Sequence, residues 1–146
     1  MMPPNTACEA VVKTAFSNLA LIFLLASCAR EPAGDTALRA TVVGTWTTAD
    51  VTLPDQARVS GVTTMFQPSG SWLSRYTVSR AGNSRQQVTS GTWQIQKGCL
   101  IEIQTNVDGV ADTKSQPGSN QILHLDSHEM ILSNWYAPSR TFFRKE

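Results

Sequence analysis

Cysteine is scarce in this chain: three residues in 146, at positions 8, 28 and 99. So few, so far apart, exclude a disulfide scaffold and any Cys-x-x-Cys metal or redox centre. Charge is scarce too, at 16%, with 12 Lys+Arg against 11 Asp+Glu and a net charge of +1. A balance this close to zero leaves no basic footprint for DNA or RNA, so nucleic acid is not an expected partner. At 41% hydrophobic the chain is nevertheless too apolar to stay unfolded. Long apolar runs are missing, since the longest unbroken one, Leu19 to Ala26, is eight residues where a membrane helix needs about 20. Catalytic signatures are missing as well: there is no Gly-x-Ser-x-Gly elbow, no phosphate-binding glycine loop and no dinucleotide fingerprint. The expectation is a non-enzymatic domain with no cofactor.

The short apolar run is informative by its place. Ala15 to Ser27 is interrupted only by Ser17 and Asn18, which suits the hydrophobic region of a secretory signal. It ends in Leu25-Ala26-Ser27-Cys28, which resembles the lipobox of bacterial lipoproteins, in which a small residue precedes a Cys that is acylated and becomes the mature N-terminus. The resemblance implies a signal peptide over residues 1–27, palmitate-type acyl chains on Cys28, and attachment to the membrane through that lipid. Ala29 rather than Asp follows the Cys, which by the sorting rule of that class implies the periplasmic face of the outer membrane. An ordinary secretory signal with an unmodified Cys28 is the alternative. Residues 28–38 then form the anchor and a flexible polar tether that contains Pro32 and Gly34. Cys99, the remaining domain thiol, is expected to be a small buried hydrophobe.

Residues 39–146 read as one all-β domain. Runs rich in Val, Ile, Thr and aromatics are separated by turn clusters about 8–12 residues apart. About eight are discernible, beginning with Ala40–Thr48 and ending with Arg140–Lys145, a number that closes a small antiparallel barrel. In Cys99–Thr105 the alternation puts Cys99, Ile101 and Ile103 on one face and turns Glu102 and Gln104 away. No stretch keeps a helical apolar period for three turns, so no helical layer is expected.

Val43-Gly44-Thr45-Trp46 has a near-repeat in Ser90-Gly91-Thr92-Trp93. With the hairpin Phe66-Gln-Pro-Ser-Gly70-Ser-Trp72, the segment Ile122–Leu132 and the ending Thr141-Phe-Phe-Arg144, these resemble the motifs of small bacterial lipocalin-like proteins. The resemblance implies an up-and-down lipocalin-like barrel, with Arg144 of the last strand stacked on Trp46 of the first. Gly44 and Gly91 are read as places where another group needs the space of a side chain.

Candidate interior residues, by alternation, are Trp72, Tyr76, Trp93, Ile101, Ile103 and Trp135. His124 and His128 are spaced to share a helical face, but they fall across a strand and a turn, so no metal site is expected. Two functions remain open. In one the barrel holds a small apolar ligand. In the other it is a protein-binding module, such as a periplasmic hydrolase inhibitor or an envelope-assembly accessory. The membrane anchor is directly testable: labelled palmitate is expected to enter the full chain in a bacterial host, and Cys28→Ala is expected to abolish the labelling. Equal labelling of the variant refutes the anchor.

Overall fold

The computed structural model describes residues 33–134 and 137–146, so the signal segment, Cys28 and Trp135 lie outside the described residues. One helix comes first, α1 (Ala33–Val42), followed by β1 (Gly44–Thr48), β2 (Val51–Thr52), β3 (Arg58–Phe66), β4 (Ser71–Arg80) and β5 (Asn83–Gln96). Then come β6 (Cys99–Val107), β7 (Val110–Ala111), β8 (Gly118–Leu125), β9 (Glu129–Asn134) and β10 (Ala137–Arg144). Every pairing is antiparallel, and neighbours along the chain pair with one another except where β2 and β7 intervene. β1 bonds β3 on one side and β10 on the other, which closes the sheet into a barrel of eight strands. β2 and β7 are two-residue additions to β3 and β6. Closure leaves the barrel strands without a free edge for another chain to pair with.

The helix corrects two expectations. Residues 33–38 are not tether, and Ala40–Val42 are not strand. Ala33, Ala37, Leu38, Arg39 and Ala40 are good helix formers. Asp35 in the first turn and Arg39 in the last suit the helix dipole. Its apolar face is only Leu38 and Val42, an i, i+4 pair, which is too little repetition to stand out against a β-rich neighbourhood. What fixes the helix is tertiary. Asp35 is buried and accepts the backbone N–H groups of Lys97 (2.7 Å) and Gly98 (2.9 Å) at the β5–β6 turn. The helix thereby lies across one end of the barrel.

Beneath it is the core: Val42, Trp46, Phe66, Trp93, Ile95, Leu100 and Met130 are buried, and Trp72, Leu132 and Phe142 extend it upward. Cys99 is buried as well. The β5–β6 register explains which side of β6 faces in. Leu100 lies opposite Ile95, and Glu102 lies opposite Trp93. Because Trp93 and Ile95 are committed to the core, Leu100, Glu102 and Gln104 follow them inward, and Ile101 and Ile103 turn out. This reverses the face read from alternation. Apolar side chains were sorted inward by composition, whereas the register set by two larger residues on the neighbouring strand decides it.

Arg144 joins the parts. It pairs with Trp46 in the β1–β10 register, and its guanidinium carbon lies 4.2 Å from the Trp46 ring centroid. Its nitrogens donate to three carbonyls: Nη2 to Thr41 and Nη1 to Val43, where the helix ends, and Nε to Ser127 at the β8–β9 turn. Gly44, with φ +139°, leaves the space where the guanidinium sits; a Cβ there would fall on Nη1. Trp46 completes the junction by donating its Nε1–H to the Val42 carbonyl at 2.7 Å. Arg144→Ala would leave carbonyls unpaired and uncover the indole. It is expected to lower stability by about 2–4 kcal/mol in denaturant titration, against less than 0.5 for an ordinary surface change. Arg144→Lys is expected to restore little, since one ammonium cannot reach three carbonyls in a fixed fork. Wild-type stability in Arg144→Ala would refute the account.

Candidate functional site

Above the core the barrel is not filled by its own side chains. A cavity of about 470 Å³ occupies this half, within the size range of ligand sites. Its floor is the upper layer of the core: Phe66, Trp72, Leu132 and Phe142. One wall is apolar, from Val51 and Leu53 at the β2 segment and Val59 and Val62 on β3. The strands beyond it, β4 to β6, line the cavity with Ser74, Tyr76, Thr89, Glu102 and Gln104. Inward polar groups are tolerated here because they face open space or one another. Thr64 and Ser74, for example, are buried and joined hydroxyl to hydroxyl at 2.9 Å. Among the described residues, two charged ones line the cavity, Glu102 from β6 and Arg140 from β10.

Glu102 is the electrostatic centre of the site. Removal from water pushes its carboxyl up to about 7, and that effect outweighs the opposing pull of the Arg140 charge and the hydrogen bond from Asn120. Asn120 Nδ2 donates to Glu102 Oε2 at 3.1 Å, and Asn120 is itself buried. Among the described residues no ion pair joins Glu102 to Arg140. Arg140 is exposed and lies with its guanidinium carbon 5.9 Å from the Phe142 ring centroid. The Tyr76 hydroxyl is also raised above the usual phenol value, chiefly by burial.

The six interior candidates divide. Trp72 and Tyr76 line the cavity. Trp93 does not: it is buried in the core, edge-on to Phe66 at 5.4 Å, with Nε1 donating to the carbonyls of Gln67 (3.1 Å) and Ser71 (3.0 Å). Ile101 and Ile103 lie on the outer surface, in a shallow cleft with Thr92 and Gln94, and Ile103 is 37% exposed. Trp135 lies outside the described residues. Gly91 has the role expected of it, because a Cβ there would fall on the Ile103 carbonyl and crowd Trp72 Nε1. Sequence reading missed Glu102, Gln104 and Arg140, whose polarity pointed outward. It also missed Arg39, which stands 5.6 Å from the Trp93 ring centroid, so that each Gly-x-Trp repeat carries an arginine on its indole.

The histidine region is a turn device. Asp126 Oδ1 accepts the backbone N–H groups of His128 (2.7 Å) and Glu129 (2.8 Å), and Oδ2 pairs with His124 Nε2 at 3.1 Å. These bonds hold the Asp126 carboxyl down to about 2. The turn they shape presents the Ser127 carbonyl to Arg144.

Glu102 makes stability depend on pH in an unusual direction. Its folded value, about 7, lies above the ordinary 4.5, so the folded chain binds more protons between these values. Stability therefore falls as pH rises from about 4.5 through 7 and levels off above it. Glu102→Gln removes the half-buried charge. It is expected to stabilise the protein by up to about 3 kcal/mol at pH 8 and to change little at pH 4.5, read by denaturant titration at the two pH values. Equal effects at both would refute the assignment.

Neither family models nor curated proteins match this chain. A crystal structure of a lipocalin-like protein from Bacteroides uniformis is similar to it, at 17% sequence identity and a TM-score of 0.50, over 73% of this chain and 99% of that one. With the eight-strand closure, the Arg144–Trp46 junction and the half-empty interior already described, the likeness establishes that the fold is lipocalin-like.

Proposed function

We propose that this chain is a lipid-anchored envelope lipoprotein, held on the periplasmic face of the outer membrane, whose barrel binds a small, mainly apolar molecule without transforming it. The observation that carries the reading is the cavity of about 470 Å³ above a sealed core. A barrel of eight strands can be packed solid by its own side chains. This one is solid only at the helix-covered end. Phe66, Trp72, Leu132 and Phe142 form an apolar floor, and Val51, Leu53, Val59 and Val62 offer an apolar wall. Filling such a space removes apolar surface from water on both ligand and protein, worth roughly 25 cal/mol per Å² before the losses of association. The lipobox-like Leu25–Cys28 segment supports the anchor, and Ala29 supports the outer membrane.

Trp72 lines the cavity and so reports occupancy. Titration with decanol is expected to change tryptophan fluorescence saturably at one site per chain. Ser74→Phe, which fills the space from β4, is expected to weaken binding at least tenfold while far-ultraviolet circular dichroism stays that of the wild type. Absence of saturable binding, or equal binding by a folded Ser74→Phe, refutes the reading. A stoichiometric protein partner retained on an empty barrel, seen by native mass spectrometry, favours the protein-binding module instead.

A further inference from the structure

We infer that the cavity takes an amphiphile bearing an amine: an alkyl or arylalkyl ammonium whose cation seats on Glu102 and whose apolar body lies along Trp72 and the Val59–Val62 wall. The inference rests on the proposed binding role and specifies the ligand's chemistry.

The placement of charge is the reason. Along the inward face of β6, Leu100 is fully buried in the core and Glu102 is the next inward residue. Glu102 also stands opposite the core residue Trp93 in the register. The carboxylate is therefore at the base of the open space, where the leading end of an inserted molecule arrives. Asn120 holds Oε2 with one hydrogen bond at 3.1 Å. A carboxylate has about four acceptor positions, so most of its capacity remains for a donor entering the cavity. An ammonium supplies three donors and the opposite charge.

Three other groups on the surrounding strands bear on this choice. Arg140 of β10 is the one cation among the described lining residues, and it is exposed, beyond ion-pair distance of Glu102 and beside the Phe142 ring. Water already solvates it, so the charge in need of a partner is the inner, negative one. Tyr76 of β4 is neutral at physiological pH, with its ionisation pushed further up by burial. Asn120 of β8 is an uncharged donor to Glu102. A carboxylate-ended ligand inserted end-on would bring a second negative charge to Glu102. Inserted the other way, it would meet a solvated arginine and leave Glu102 without a counter-charge. An uncharged alcohol fills the space but leaves the carboxylate desolvated. An ammonium is the chemistry that complements both the wall and its base.

The test compares decylammonium, decanol and decanoate on the full chain by isothermal titration at pH 8.5, with Glu102→Gln beside the wild type. Decylammonium is expected to bind at least tenfold tighter than decanol and decanoate. Glu102→Gln is expected to abolish that preference, so that decylammonium and decanol bind alike. A protonated Glu102 cannot pair with a cation, so in the wild type the advantage should shrink as pH falls from 8.5 to 6. This arm needs no variant to fold. Decanol binding with no ammonium preference, a preference for decanoate, or an ammonium preference that survives Glu102→Gln each overturns the amine and leaves the binding role standing. If none of the three binds, both readings fall.

Discussion

A single guanidinium holds the barrel shut. Arg144 sits over the Trp46 ring and donates to carbonyls of the helix end and of the β8–β9 turn, so it ties together the first strand, the last strand, the cap and a distant hairpin at once. Lysine could supply the charge but not the plane or the fork. The surroundings are shaped to this group. Gly44 gives up its side chain for it, Trp46 turns its N–H back to the helix, and Asp126 builds the turn that offers it Ser127. The ion pairs near the other end, Asp50 with Arg58, Asp55 with Arg80 and Asp108 with Arg85, are exposed and contribute little by comparison.

Sealing one end so firmly is what allows the other to stay open. The core and the cavity share a boundary, since Phe66, Trp72, Leu132 and Phe142 belong to both. Below that layer the side chains are large and apolar. Above it small aliphatic side chains alternate with Thr, Ser, Gln and Glu, which are too small or too polar to close the space. A half-buried carboxyl such as Glu102 is a stability liability, because it is charged at a pH where the fold would prefer it neutral. Residues that lower stability while facing a cavity are common where a site is fitted to something other than its own protein.

Much of this was legible in the residues. Strand number, the closing pair β1 and β10, and the stacking of Arg144 on Trp46 came from turn spacing and from the Gly-x-Trp resemblance, both local signals. The helix was not legible, because its identity rests on Asp35 capping a turn sixty-odd residues away, a contact no local pattern announces. The site was half legible. Trp72 and Tyr76 followed from alternation on β4, but β6 was read inside out. Sorting faces by hydrophobicity works when an interior is packed. It fails where the interior is an open cavity, and there a polar residue facing inward is the useful sign.

The closing contact between Arg144 and Val43 spans 101 residues of chain. Bringing such distant segments together is entropically unfavourable, and folds dominated by distant pairings form slowly, in milliseconds to seconds. Until the last strand arrives, β1 and β9 each lack a neighbour and expose a row of unpaired N–H and C=O groups. A chain interrupted before β10 is thus an aggregation hazard rather than a shortened barrel, and whatever escorts the nascent chain must protect it until its final strand has docked.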